Sequence, residues 1–185
     1  MAGQVCAKCG AELGNAKFCV KCGTPVAANV DSRAVEFVKQ GNAYLDAYKL
    51  DKAIKAFAKA IEIDPKYADA YFGRGKAYYR NWSKSTFFHG KDYEKARSDF
   101  IDAIRLNPSC AAEAYFILGD YTEAIKANPN YAEAYYQRGN IYHMQLNYNA
   151  AVLDYEMAQR LGYDVGNFLE YARQNKTTWD AIDGK

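Results

Sequence analysis

The sequence predicts an all-α protein, in which a small N-terminal metal-binding segment is followed by an array of stacked helix pairs. Small and aromatic residues recur with a period of 34 residues, a spacing typical of arrays built from one supersecondary unit. Four of the five cysteines form two C-x2-C pairs near the N-terminus, which is metal-ligand spacing. No apolar run approaches the roughly 20 residues that a membrane-spanning helix needs.

Composition sets the broad class of the protein. Half of the 185 residues are hydrophobic, so the chain can bury a substantial core. The first 30 residues lack the charged start and the apolar middle of a secretory signal, and we therefore expect a cytoplasmic protein. After residue 30 the chain carries 21 basic and 21 acidic residues, and this balance argues against a broad nucleic-acid-binding face.

The first element is a zinc site formed by Cys6, Cys9, Cys19 and Cys22, with nine residues between the two pairs. Two C-x2-C turns supply the tetrahedral thiolate shell that Zn²⁺ prefers, and four cysteines leave no position for an activated water, so the predicted ion is structural. Disulfides, an iron site and unrelated thiols are the alternatives. Residues 4–25 resemble the short zinc ribbons at the N-termini of many bacterial and archaeal multidomain proteins, and we assign residues 1–25 to this domain and 26–33 to a linker.

The second element is the repeat, which is cleanest between Gly41 and Gly75 and between Tyr44 and Tyr78. Glycine inside a helix costs about 1 kcal/mol relative to alanine, so glycine at equivalent positions indicates close helix approach. The repeated small, aromatic and proline positions are Phe37, Gly41, Tyr44, Ala53, Phe57, Ala60 and Pro65; Tyr71, Gly75, Tyr78, Ala96, Phe100, Ala103 and Pro108; and Tyr135, Gly139, Tyr142, Ala151, Tyr155 and Ala158. This pattern resembles the tetratricopeptide repeat (TPR) over residues 34–163.

The register predicts units at 34–67, 68–110, 111–131 and 132–163, with Pro65, Pro108 and Pro129 ending the second helices. The second unit has nine extra residues, which we assign to an inserted surface loop at 80–90. This loop carries Trp82, Phe87, Phe88 and His89, and it either folds back onto the array or forms a partner-binding lip.

The third unit is 13 residues shorter than the period. We interpret it as a single helix from about Cys110 to Ala127, with Cys110 as a buried structural thiol. A single helix leaves an unmatched apolar face, so we expect a second copy of the chain to cover it in a homodimer. The alternative is a kinked array in which the segment Trp82–His89 fills the gap.

Residues 164–185 form the last element, a capping helix followed by a tail that either frays from Gln174 onward or packs back through Trp179 and Ile182. At the other end of the array, Asp31 or Ser32 is the expected N-cap of the first helix.

The TPR resemblance implies a right-handed superhelix whose concave face is lined by the first helix of each pair and binds peptides of other proteins. The residues that this register places on the concave face are Val35, Val38, Asn42, Leu45, Asp69, Phe72, Lys76, Tyr79, Glu133, Tyr136, Asn140 and His143. Repeats that grip a terminal carboxylate use a Lys-Asn, Asn, Lys-Arg pattern, of which only Asn42 is present here. With Asp69 and Glu133 near the groove, we expect a neutral or somewhat basic peptide.

These patterns predict a non-catalytic scaffold that binds a peptide or protein partner, with structural zinc as the only cofactor. Only two histidines occur, and no P-loop, nucleophile elbow or H-E-x-x-H motif is present, so we do not expect an enzyme. The alternative is a nucleic-acid-associated factor that uses the zinc ribbon, with the array mediating assembly.

Overall fold

The structure is a computed structural model that describes residues 30–84 and 90–183. These residues form α1 (Ser32–Asp46), α2 (Leu50–Ile63), α3 (Ala68–Lys84), α4 (Gly90–Leu106), α5 (Ala111–Ile117), α6 (Tyr121–Ala127), α7 (Ala132–Met144), α8 (Tyr148–Arg160) and α9 (Phe168–Asp183). A single 3₁₀ turn at Pro108–Cys110 precedes α5. The predicted zinc ligands Cys6, Cys9, Cys19 and Cys22 and the loop residues Phe87, Phe88 and His89 lie outside the described residues.

The helices pair in chain order as α1–α2, α3–α4, α5–α6 and α7–α8, and α9 packs against α8. Successive pairs are joined by contacts of α2 with α3 and of α6 with α7. The described residues contain no strand. The prediction of an all-α array of helical hairpins is therefore confirmed, whereas the N-terminal zinc ribbon stays a prediction.

Each of three hairpins buries one aromatic ring completely, and each ring lies against glycine. Phe57, Phe100 and Tyr155 have no exposed surface. A Cβ built on Gly41 would lie 2.6 Å from Cε1 of Phe57, and one on Gly139 would lie 2.8 Å from Cε1 of Tyr155. Close approach is thus the reason for the repeated glycines, as the sequence predicted.

In each of two hairpins, a buried ion pair joins the two helices, and the two ion pairs occupy equivalent positions. Arg74 donates two hydrogen bonds of 2.8 Å to the Asp99 carboxylate, and Arg138 makes the same pair of bonds to Asp154. Both aspartates are 5% exposed. Burial raises the pKa of Asp99 above its usual value, although the guanidinium of Arg74 opposes the shift. These ion pairs link the two helices of α3–α4 and of α7–α8.

The second helices end two residues before proline, as the sequence predicted. The residue after each of these helices has an extended backbone: Asp64 follows α2, Asn107 follows α4 and Asn128 follows α6. Each side chain accepts a hydrogen bond from the backbone N–H two residues later, which stabilises the turn into the next hairpin. No proline follows α8, and Gly162 at a φ of +87° makes this turn instead.

The third unit differs from its predicted form. The expected single helix from Cys110 to Ala127 is broken, because Gly119 adopts a φ of +81° and Asp120 caps α6 by accepting from the Glu123 N–H at 3.3 Å. The result is a short hairpin. The backbone N–H of Asp120 donates a hydrogen bond of 2.9 Å to the Tyr115 carbonyl. The argument for a homodimer rested on a single helix, and the hairpin removes that argument.

The insertion and the two ends of the array also differ in detail. Helix α3 continues to Lys84 and α4 begins at Gly90, so Trp82 belongs to a helix and not to the predicted loop at 80–90. The tail does not fray at Gln174, because α9 continues to Asp183. At the N-terminal end, Asp31 is the N-cap of α1 and accepts from the Arg33 N–H at 2.8 Å.

Candidate peptide-binding cleft

A cleft of about 500 Å³ opens between α3, the α5–α6 hairpin and α7. Aromatic and aliphatic side chains make up one part of its surface, and charged or amide side chains make up the other. The lining residues are Lys76, Tyr79, Arg80, Ser83, Glu113, Phe116, Ile117, Tyr121, Glu133 and Gln137. The third unit contributes four of these residues, so the shortened hairpin is part of the cleft.

Packed rings form the apolar part of the cleft. Phe116 stacks on Tyr131 with the ring centroids 4.9 Å apart and contacts Tyr121 at 5.4 Å. On the opposite side, Tyr79 contacts Trp82 at 5.4 Å. Burial raises the pKa of Tyr79, Tyr121 and Tyr131 above the ordinary value of a phenol, which disfavours the phenolate form still further.

The charged groups of the cleft differ in how they are paired. Lys76 lies 3.5 Å from the Glu113 carboxylate. The guanidinium of Arg80 donates to the Leu45 carbonyl at 3.1 Å and lies over the Tyr48 ring at 5.5 Å. The Glu133 carboxylate has no hydrogen bond or ion pair within the part of the chain that the structure describes. Burial is the main cause of the raised pKa of Tyr121 and Tyr131, and the negative charge of Glu133 is the second cause.

Only part of the predicted concave face lies in this cleft. Lys76, Tyr79 and Glu133, which the register assigned to the concave face, line it. The structure instead places Val38 and Leu45 in the core of the first hairpin, where they are 7% and 3% exposed.

Phe72, Asn42 and Asp69 do not line the cleft either. Phe72 packs edge-on against the buried ring of Phe100, with the centroids 5.4 Å apart. Asn42 and Asp69 are exposed outside the cleft.

Tyr136, Asn140 and His143 belong to a different cluster, formed by α7 with α8 and α9. Asn140 accepts a hydrogen bond of 2.8 Å from the Tyr155 hydroxyl. Tyr136 lies edge-on to Phe168 at 5.9 Å, and His143 lies 5.2 Å from the Tyr171 ring. The capping helix α9 therefore contacts the face that the sequence assigned to a ligand at this end of the array.

The sequence prediction missed Glu113, Phe116, Ile117 and Tyr121 because it treated residues 110–127 as one helix. The signal that finds them is the pair Gly119–Asp120. Glycine is the usual residue just past a helix end, and aspartate is a preferred N-cap, so the two together mark a break between helices. With the break recognised, Phe116 and Tyr121 fall on facing helices of a short hairpin.

Cys110 is half-buried, and its thiol donates a hydrogen bond to the Asn107 carbonyl at 3.1 Å. Burial raises the pKa of the Cys110 thiol, which disfavours the reactive thiolate.

Within residues 30–84 and 90–183, no group of three or more His, Cys, Asp or Glu side chains is placed to hold a metal ion. In the same ranges no helix has the length and apolar character needed to cross a membrane.

Comparison with known proteins agrees with the hairpin architecture. A TPR repeat family model matches residues 41–81, and a tetratricopeptide repeat model matches residues 120–152. DnaJ homolog subfamily C member 7 homolog of Dictyostelium discoideum is 26% identical over 67% of this chain and 27% of its own length. Human serine/threonine-protein phosphatase 5 is 28% identical over 82% of this chain and 25% of its own length. The chain thus spans about a quarter of these relatives.

Among solved structures, the crystal structure of MamA protein superposes with a TM-score of 0.60 at 22% identity, covering 81% of this chain and 86% of that one. This likeness shows the fold. Tetratricopeptide repeats mediate protein–protein interactions and are typically non-catalytic. Tetratricopeptide repeat models therefore match two segments of the chain, residues 41–81 and 120–152, and the described residues share the all-helical fold of MamA protein.

Proposed function

We propose that this chain is a non-catalytic scaffold that binds a peptide of a protein partner in the cleft between α3, α5–α6 and α7. The observation that carries the proposal is the cleft itself. Its volume of about 500 Å³ lies within the range of about 300 to 1,000 Å³ typical of ligand sites. Aromatic rings beside a few polar groups are the surface on which binding energy concentrates in protein interfaces.

The proposed binding mode differs from the one that the register alone suggested. Phe72 and Tyr136 pack inside the array, so their replacement by alanine would disturb folding as well as binding. Ser83 lines the cleft and is exposed, whereas Ser98 is exposed on α4 outside the cleft. Ser83→Trp therefore fills the cleft without removing a packed side chain, and Ser98→Trp is its matched control.

The experiment selects peptides from a phage-displayed library on the unmodified protein and measures their affinity for both variants by fluorescence anisotropy. We expect Ser83→Trp to weaken binding at least about tenfold, because an indole occupies the space that the peptide needs. Ser98→Trp should bind as the unmodified protein does. Equal binding to all three proteins would place the interaction elsewhere and contradict the proposal.

We further propose that Cys6, Cys9, Cys19 and Cys22 hold one structural zinc ion in an accessory domain at residues 1–25. The spacing of the two C-x2-C pairs supports this proposal. Four thiolates complete the tetrahedral shell, so the ion would stabilise a segment that is too short to fold by apolar burial.

A further inference from the structure

Glu133 differs from the other charged groups that line the cleft. Lys76 and Glu113 pair with each other, and Arg80 is held by the Leu45 carbonyl and the Tyr48 ring. The Glu133 carboxylate is half-buried, yet within the described residues it has no hydrogen-bond donor or cation. A carboxylate without a partner can pair with a cation supplied by a ligand, and partial burial strengthens that attraction relative to open water.

The surroundings of Glu133 favour the same kind of ligand group. Phe116, Tyr121 and Tyr131 form a continuous set of ring contacts at this end of the cleft, and Phe116 and Tyr121 line it with Glu133. The faces of aromatic rings attract cations and repel anions. The carboxylate and the rings therefore select for the same charge.

The position of Glu133 in its helix is also consistent with this role. Glu133 lies in the first turn of α7, where the helix dipole favours an acidic side chain. The acidic residue therefore suits the helix that carries it as well as the proposed ligand.

From this geometry we propose that Glu133, with Phe116, Tyr121 and Gln137, forms a subsite for a lysine or arginine side chain of the bound peptide. The proposal rests on the function proposed above and adds the chemistry of the partner, a basic residue flanked by apolar residues. The amide of Gln137 lies on the same helix, one turn beyond Glu133, and supplies a neutral acceptor beside the carboxylate.

The test uses three synthetic peptides, Ac-Ala-Phe-Xaa-Phe-Ala-NH₂ with arginine, glutamine or glutamate at the central position. Affinities are measured by ¹⁵N NMR titration, following the backbone amides of Ile117 and Gln137. We expect the arginine peptide to bind about fivefold more tightly than the glutamine peptide, and the glutamate peptide to bind most weakly. The isosteric variant Glu133→Gln should abolish the advantage of arginine, so that the arginine and glutamine peptides bind this variant with equal affinity.

Glu62→Gln is the matched control, because it removes the same charge from an exposed position on α2 outside the cleft. It should keep the advantage of arginine. If the glutamate peptide binds most tightly, or if the advantage of arginine survives Glu133→Gln, the subsite is wrong although cleft binding stands. If none of the three peptides shifts the Ile117 and Gln137 amides at millimolar concentration, cleft binding and the subsite are both wrong.

Discussion

The buried ring of Phe57 contacts glycines of two different helices, Gly41 of α1 and Gly73 of α3. A Cβ on Gly41 would lie 2.6 Å from the ring, and a Cβ on Gly73 would lie closer still to the same Cε1 and Cζ atoms. Non-bonded carbon atoms prefer separations of about 3.5 to 4.0 Å. In Gly73→Ala the ring would therefore have to withdraw by about 1 Å within a fully buried site.

The expected magnitude follows from two opposing terms. Alanine in place of glycine inside α3 gains about 1 kcal/mol of helix propensity. Overpacking a rigid core costs about 1 to 3 kcal/mol, and this contact lies at the upper end because the ring has no free space. We expect Gly73→Ala to lower the free energy of unfolding by about 2 kcal/mol.

Gly75→Ala is the internal control, since it lies on the same helix and its Cβ would meet Phe100 at 3.1 Å, a smaller overlap. We expect a net change below about 0.5 kcal/mol for this variant, because the propensity gain offsets the milder contact. Urea unfolding followed by circular dichroism measures both variants.

A double-mutant cycle with Phe57→Leu tests the proposed cause. Removing the ring should reduce the penalty of Gly73→Ala to less than about 0.5 kcal/mol, because the smaller side chain leaves room for the methyl group. An unchanged penalty in the Phe57→Leu background, or a Gly73→Ala protein as stable as the unmodified one, would refute the packing argument.

Three further predictions concern other features of the chain. Asp154→Ala should cost about 3 kcal/mol in urea unfolding, because it leaves the half-buried Arg138 guanidinium without its carboxylate; a loss below about 0.5 kcal/mol would show that the pair is dispensable. Gly119→Ala should cost about 1 kcal/mol from the left-handed backbone alone, since no atom lies within 4 Å of the added Cβ. Elemental analysis of the purified protein should find about one zinc per chain, and a mild chelator should remove this zinc more easily from the Cys6→Ser variant. A metal-free protein with native residues 1–25 would contradict the zinc site.

The sequence predicted the hairpins because their signals are local. Gly41 and Gly139 recur in register, and proline stands two residues beyond α2, α4 and α6, so helix ends and close approaches follow from residue type alone. The third unit was predicted wrongly, although its signal was equally local: Gly119 and Asp120 mark the break between α5 and α6.

Which side chains are open to a ligand was decided only by the tertiary structure. Val38 and Leu45 occupy register positions of the concave face, yet the first hairpin buries them, and α9 contacts Tyr136 and His143 from more than 20 residues away in sequence. Glu133 and Phe116 meet in one cleft because the shortened hairpin brings α5 beside α7. The period specifies how each hairpin packs internally, but the exposure of a residue depends on neighbours from distant helices, and a repeat pattern does not contain that information.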